Sequence, residues 1–280
     1  MPKLVLQRIC PSSGRMFPEP RAEYTFHDAE ITCRSNANSV EAAAWFIVEM
    51  LRDPELLNRI QAEVAETKYS ADADTKELFD LDKLCSMPVA QSTYAEVLRL
   101  RVSALISRRA KYDMDFDGWT IKKGERVSAA AISRHQDSAS WNTGTEDDPH
   151  PVTEFWADRF LVYPNDPLSG PLKSPATVGT STAVSEENES DKPKFTTAGL
   201  TNTFMPYSGG ARLCPGRHFA KQEIILTAAA TISAFEIELR TPEGWVPKMD
   251  TTFFGGGTMP VKGKVPCRIR RRKGGLEKGN

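Results

Sequence analysis

Apolar residues recur at helical spacing early in the chain: Ile31, Ala37, Ala42, Ala43, Phe46, Ile47 and Met50 form one stripe and predict a long helix from about Asp28 to Leu51. Asp53-Pro54 ends it and opens a second helix, because proline suits a first helical turn. Leu56, Leu57, Ile60 and Val64 give that helix a buried side. Residues 66 to 80 are polar and read as a loop, and Met87-Pro88 precedes a third helix over about Val89 to Arg101. The period then shortens. Asp117-Gly118 and Lys123-Gly124 punctuate Tyr112 to Phe116, Trp119 to Ile121 and Arg126 to Ala131, which predicts a small meander of strands and turns. Residues 164 to 198 are dense in Pro, Ser, Thr, Gly and acidic residues and have little to bury, so a flexible insertion is expected there. After Asn202 come a glycine-rich loop, a helix from about Pro215 to Ala234, and strand-like stretches; the basic run Arg268 to Lys273 reads as a solvated strand end. Residues 1 to 22 show no period and read as irregular, and residues 273 to 280 read as a tail.

Composition narrows the class. A chain of 280 residues with 40% hydrophobic and 26% charged residues has the balance of a soluble globular protein and is long enough for one large domain or two small ones. Its 36 basic and 37 acidic residues nearly cancel, so no whole-chain attraction to nucleic acid is expected. Cys10, Cys33, Cys85, Cys214 and Cys267 are scattered without a Cys-x-x-Cys pair, which argues for a reducing compartment and against a disulfide framework or structural zinc. No run approaches the roughly 20 apolar residues of a membrane span, and the N-terminal residues lack a signal-peptide pattern.

The densest chemistry lies between Phe204 and His218, which reads Phe-Met-Pro-Tyr-Ser-Gly-Gly-Ala-Arg-Leu-Cys-Pro-Gly-Arg-His. Gly209 and Gly210 can take positive φ and bring backbone N–H groups close to an anion. Cys214 is expected at the start of the following helix, whose dipole favours thiolate over thiol. Gly216 removes a side chain, so a flat macrocycle could lie against that helix, and Arg212 could neutralise a propionate. Two plainer readings compete: an inert packed cysteine, and a metal pair in which Cys214 and His218 share a helix face. Neither accounts for the glycines and the arginine, and His27, His135 and His150 form no second paired motif for zinc.

These residues resemble the haem loop of the cytochrome P-450 superfamily, Phe-x-x-Gly-x-Arg-x-Cys-x-Gly, with Tyr207, Gly210, Arg212, Cys214 and Gly216 at its positions. Tyr207 stands where the family has Phe, which implies a modest change in redox tuning. The resemblance covers about the C-terminal half of the family. It implies a fold that is mainly α with small β-sheets over residues 23 to 272, and haem b with Cys214 as the axial ligand to iron. A Glu-x-x-Arg signature follows in Glu96 and Arg99, three apart on one helix face. Phe155 to Phe160 resembles the segment supplying a third member, Arg159, with Ala157 and Asp158 replacing the usual Pro and Glu. By the same resemblance Arg108 would bind a propionate, and His135, Asp137 and Trp141 fall in the expected loop after the strands.

In the family the long helix crosses the distal face of the haem and carries an acid-alcohol pair that relays protons. Here Ser39 keeps the hydroxyl, while Asn38 replaces the acid and cannot titrate. The amide is similar to a branch of sterol and bile-acid hydroxylases, a prostacyclin-forming isomerase and fungal biosynthetic members. The cysteine loop looks most like the fungal group. The implied function is a monooxygenase that oxidises a hydrophobic small molecule, a sterol, terpenoid or other secondary metabolite. The thiolate would push electron density onto iron to favour O–O cleavage. Substrate contacts would come from Ala37 and Ala42, from Val102 to Ile106 and from Phe253 to Gly257. Electrons would come from an NADPH-dependent cytochrome reductase docking around Arg217 and Lys221. The family implies the endoplasmic reticulum membrane, although no anchor is encoded here, with the cytoplasm otherwise expected. The alternatives are a haem-dependent isomerase or dehydratase acting without dioxygen, and a catalytically inactive fragment.

Overall fold

The computed structural model describes residues 26–69, 78–173 and 192–272, with side chains from Ala37 onward save those of Leu78 and Ala211. The expected irregular start, the expected tail and residues 174–191 of the expected insertion lie outside the described residues. The chain divides into two units, Met1–Asn36 and Ala37–Asn280. The first contributes the opening turns of a helix; the second holds the core and every candidate site residue.

The periodic stripes become helices at the expected places. They are α1 (Phe26–Arg52), α2 (Pro54–Glu66), α4 (Pro88–Arg101) and α6 (Arg217–Ala234), to which the structure adds the short α3 (Leu81–Ser86) and α5 (Ala131–His135). The break between α1 and α2 has a local cause. Asp53 is extended at φ −120°, and its carboxylate accepts the N–H groups of Glu55 and Leu56 while Pro54 occupies the first turn. Helix α4 has no cap of its own, since Met87 carries no acceptor. Glu63 of α2 supplies one from a distance, accepting Val89 N–H at 2.8 Å and Ala90 N–H at 2.9 Å. Burial raises the Glu63 carboxyl above its ordinary pKa.

Every residue of α4 from Ser92 to Arg101 is buried, which makes it the central helix of the fold. Around it pack Trp45, Phe46 and Met50 of α1, Leu56 and Ile60 of α2, and Ile224, Ile225 and Ile232 of α6, with Trp141 and Phe160 from the intervening loops. Burying one such side chain is worth about 1.5–3 kcal/mol, so these contacts hold α4 in place against the cost of its buried charges.

The strands are short and pair antiparallel in twos: β1 (Lys68–Tyr69) with β2 (Leu78–Phe79), β3 (Leu105–Arg109) with β6 (Arg126–Ala130), β4 (Met114–Phe116) with β5 (Trp119–Ile121), β7 (Leu161–Val162) with β8 (Lys194–Phe195), and β9 (Phe235–Leu239) with β10 (Cys267–Arg271). Asp117 and Gly118 both take positive φ, 48° and 81°, the geometry a two-residue hairpin between β4 and β5 requires. The flanks of the expected insertion are bonded to the body: β8 lies within it, and Asn142 Nδ2 donates to Leu168 O and Gly170 O, each at 2.8 Å.

Candidate functional site

Glu96, Arg99 and Arg159 form a network of three buried charges. Glu96 accepts from Arg99 through both carboxylate oxygens, Nε to Oε2 and Nη2 to Oε1, each at 2.7 Å, and from Arg159 Nε at 3.0 Å. All three side chains have 0% exposure. Spacing on α4 puts Glu96 and Arg99 together, whereas Arg159 arrives from a loop 63 positions away. Burial alone would raise the Glu96 carboxyl, but the charges and hydrogen bonds of Arg99 and Arg159 outweigh it and hold the pKa below its ordinary value. One carboxylate cannot neutralise two guanidiniums, so the remaining donors go to carbonyls. Arg99 Nη1 reaches His135 O and Val152 O at 2.7 Å, and Arg159 reaches Asn142 O and Pro151 O.

His135 connects this network to the cysteine loop. Its Nε2 accepts Met205 N–H at 2.9 Å and its Nδ1 lies 3.1 Å from Arg99 O, an arrangement that requires a neutral ring protonated on Nδ1. Burial, reinforced by the Arg99 charge, lowers its pKa to about 4. Phe204, the residue before Met205, packs its ring against those of Trp141, Phe160 and His135. The loop therefore leaves the core from an anchored start.

Beyond Met205 the loop turns back on itself. Ser208 and Gly210 take positive φ, 69° and 66°, while Gly209 is extended at φ −156°, so Ser208 rather than Gly209 makes the second left-handed turn expected of the glycine pair. Cys214 N–H donates to Tyr207 O at 3.0 Å, closing the loop beneath the sulfur. The Tyr207 hydroxyl lies 2.5 Å from that of Tyr94 on α4, a partner no local motif revealed. Arg108 Nη2 donates to Gly209 O at 2.6 Å, which brings this predicted residue to the loop, and Arg212, within the loop, is exposed. Helix α6 begins at Arg217, so Cys214 stands ahead of its first turn instead of within it.

Asn38 and Ser39, expected on the distal side, fall on α1. Ser39 is buried and Asn38 is exposed, with Asn38 Oδ1 accepting Thr258 N–H at 2.9 Å. Val102 bridges Thr258, and Leu105, Phe253 and Phe254 are exposed apolar side chains on the adjoining segments. Ala42, expected to touch substrate, is 1% exposed within the core and is a packing residue.

An iron porphyrin suits these residues. Cys214 is a free, exposed thiol and is not packed into the core. A Cβ added to Gly216 would lie 3.9 Å from Cys214 Sγ, so the glycine leaves the flank of the sulfur open. Among the described residues no group of three or more His, Cys, Asp or Glu side chains could hold a metal ion. The loop that carries the Cys214 thiol also gathers cationic side chains of the kind that would pair with the carboxylates of such a porphyrin: Arg108, bonded to Gly209 O, and the exposed Arg212.

Fold and loop together define a mainly α protein with small sheets that presents the free thiol of Cys214 just ahead of α6. The sequence model of the family described as Cytochrome P-450 matches residues 35–153 and 186–267, and the chain belongs to that family. It is 45% identical over 245 residues to the cytochrome P-450 monooxygenase efuG of Hormonema carpetanum, across 85% of this chain and 42% of that protein. It is 46% identical over 242 residues to the cytochrome P-450 monooxygenase fsoE of Humicola fuscoatra, across 85% and 40%. More distant is the cholesterol 7-alpha-monooxygenase of Cricetulus griseus, at 30% identity over 265 residues, 88% of this chain and 46% of the relative. The fold is similar to the crystal structure of the cytochrome P-450DA haem domain, with a TM-score of 0.57 at 19% identity over 88% of this chain and 44% of that one. The chain thus spans less than half the length of these relatives.

Proposed function

We propose that the chain is the haem-binding portion of a monooxygenase that oxidises a hydrophobic small molecule, such as a sterol, a terpenoid or another secondary metabolite. The observation that carries this reading is the exposed Cys214 thiol, on a loop closed by Tyr207 O and bordered by Arg108. Names of fungal and sterol-oxidising relatives support the activity and the substrate class. Haem b, when bound, would supply the redox chemistry of oxygen insertion. Cys214 would hold its iron as a thiolate, Arg108 and Arg212 would hold its propionates, and Gly210 and Gly216 would leave room for the ring. Tyr207 would border the sulfur. Glu96, Arg99 and Arg159 would keep α4 and the loop in register, while Asn38 and Ser39 would organise the distal side. An NADPH-dependent cytochrome reductase would dock near Arg217 and Lys221. We assign the whole protein to the endoplasmic reticulum membrane by analogy with its family; no helix among the described residues is long and apolar enough to cross a membrane.

The test is reconstitution of the purified chain with haemin, followed by the ferrous carbon-monoxide difference spectrum. The thiolate-type long-wavelength band is expected, and Cys214→Ala should lose it. Failure to take up haem would overturn the assignment. Haem uptake without substrate-dependent NADPH consumption, reductase present, would overturn monooxygenase activity for this chain. Asn38, an amide that cannot titrate, favours one second reading: isomerisation or dehydration of a peroxide substrate without reductase.

A further inference from the structure

Asn38 and Gly257 are fitted to each other. Asn38 Oδ1 accepts Thr258 N–H at 2.9 Å, and a Cβ added to Gly257 would lie 2.1 Å from that same oxygen and 2.8 Å from Cγ. Atoms do not approach so closely, so the carboxamide fills the space any side chain at position 257 would need. Gly257 also has φ +130°, a conformation that L residues rarely adopt.

The segment so engaged is fixed on its other side as well. Gly257 O accepts Ser103 N–H at 2.8 Å and the Ser103 hydroxyl at 3.2 Å, and Ser103 Oγ accepts Gly255 N–H at 3.1 Å. Two turns along α1 from Asn38, on the same helix face, Trp45 Nε1 donates to Met259 O at 2.7 Å. Asn38 and Trp45 thus bind consecutive residues of one backbone. At the head of that segment Phe253 and Phe254 are 56% and 53% exposed, and Leu105 is 46% exposed across from Gly255, whose added Cβ would meet Leu105 at 3.0 Å.

We infer that Asn38 is a positioning residue, a latch that sets the gap between α1 and the 253–258 segment. The latch stands on its own geometry. Its consequence, that the gap fixes how far Phe253, Phe254 and Leu105 stand from a ligand over the haem, rests on the haem-thiolate reading. With Oδ1 committed to the backbone, what Asn38 offers a ligand is an amide N–H donor that keeps its protons at every physiological pH.

The test has two arms. In the chain without haem, the unfolding equilibria of Asn38→Ala, Gly257→Ala and the double variant form a cycle. Gly257→Ala is expected to damage folding roughly tenfold less when Asn38→Ala has removed the colliding amide; strictly additive effects would overturn the latch. Should Gly257→Ala not fold, amide exchange at Thr258 in Asn38→Ala replaces the cycle, with protection falling about tenfold or more if its acceptor is lost and an unchanged rate overturning the latch. In the haem-loaded chain, spectral titrations with imidazole and 4-phenylimidazole compare a small and a bulky ligand. Asn38→Ala should shift the ratio of the two affinities severalfold, while Asn38→Asp, which keeps an acceptor for Thr258 N–H, should hold the ratio of the unsubstituted chain. An unchanged ratio in Asn38→Ala overturns the positioning role. Coupling in the first arm without any haem uptake in the second supports the latch and counts against the haem-thiolate reading.

Discussion

The ring of His135 accepts the backbone N–H of Met205 through Nε2 at 2.9 Å. Because the opposite nitrogen faces Arg99 O at 3.1 Å, one neutral imidazole joins the central helix to the start of the cysteine loop. Arg99 Nη1 in turn donates to His135 O, so the link between the Glu96–Arg99–Arg159 network and Cys214 runs through this residue twice.

That role makes stability depend on acidity in a defined direction. The folded state holds His135 at a pKa of about 4, against an ordinary value of 6.5. Between those values the unfolded chain binds a proton that the folded chain refuses. The contribution is therefore complete above about pH 6.5 and is lost as the pH falls towards 4, amounting to roughly 3 kcal/mol. Urea unfolding across this range should show a steeper loss for the unsubstituted chain than for His135→Gln; identical slopes would exclude the neutral-ring assignment.

Breaking the triad should cost more than rebuilding it. Glu96→Gln leaves two guanidiniums buried beside each other without an anion, and a destabilisation of about 3–5 kcal/mol is expected. Joint replacement by Glu96→Leu and Arg159→Met removes a charge of each sign, and should cost less than the sum of the two single changes. Denaturant midpoints of the four chains decide this; a sum of independent effects would mean that the three residues do not act as a unit.

Legibility from sequence followed the range of the interaction. Helices α1, α2, α4 and α6 announce themselves through apolar stripes and prolines, and the β4–β5 turn through Asp117-Gly118, because those causes lie within a few residues. Strand β3 was hidden, since its regularity comes from pairing Leu105 with Ala130 and Arg109 with Arg126. Helix α5 is too short to show a period. At the site, Cys214 stood out through its glycines and arginine. Yet the choice of Ser208 over Gly209 for positive φ follows from how the loop closes between Tyr207 and Cys214, and Ala42 looked available only until α1 met its neighbours. Resemblance alone marks His135 in the sequence, because nothing local tells that its two nitrogens meet backbone groups 36 and 70 positions away.

Tyr207, the departure from the family's Phe, brings a buried partner that a Phe would strand. Its hydroxyl lies 2.5 Å from that of Tyr94, whose side chain is nearly enclosed in α4. Tyr207→Phe should destabilise the chain by about 1–3 kcal/mol by leaving the Tyr94 hydroxyl unsatisfied. Adding Tyr94→Phe should recover most of that loss, as measured by thermal unfolding. A double variant weaker than either single one would mean that the hydroxyls serve other partners.

A second buried ion pair yields an asymmetry that can be measured. Glu49 of α1, 1% exposed, accepts from Arg101 Nη2 at 2.5 Å and from Arg52 Nη1 at 2.6 Å, and Arg101 lies over the Trp45 ring at 3.8 Å from its centroid. Glu49 has two cationic partners, whereas Arg101 relies on Glu49 as its carboxylate and already has a buried Nε with no hydrogen-bond partner. Removing the carboxylate strands a buried guanidinium, so Glu49→Ala should cost about 3–5 kcal/mol. Removing the guanidinium while filling its volume leaves Glu49 paired with Arg52, so Arg101→Met should cost less, chiefly one charged hydrogen bond and a cation–π contact worth about 0.5–2 kcal/mol. Urea unfolding of the two variants ranks them directly. If Arg101→Met proved the more damaging, α1 and α4 would be held by the stacking of Arg101 on Trp45 and not by its charge.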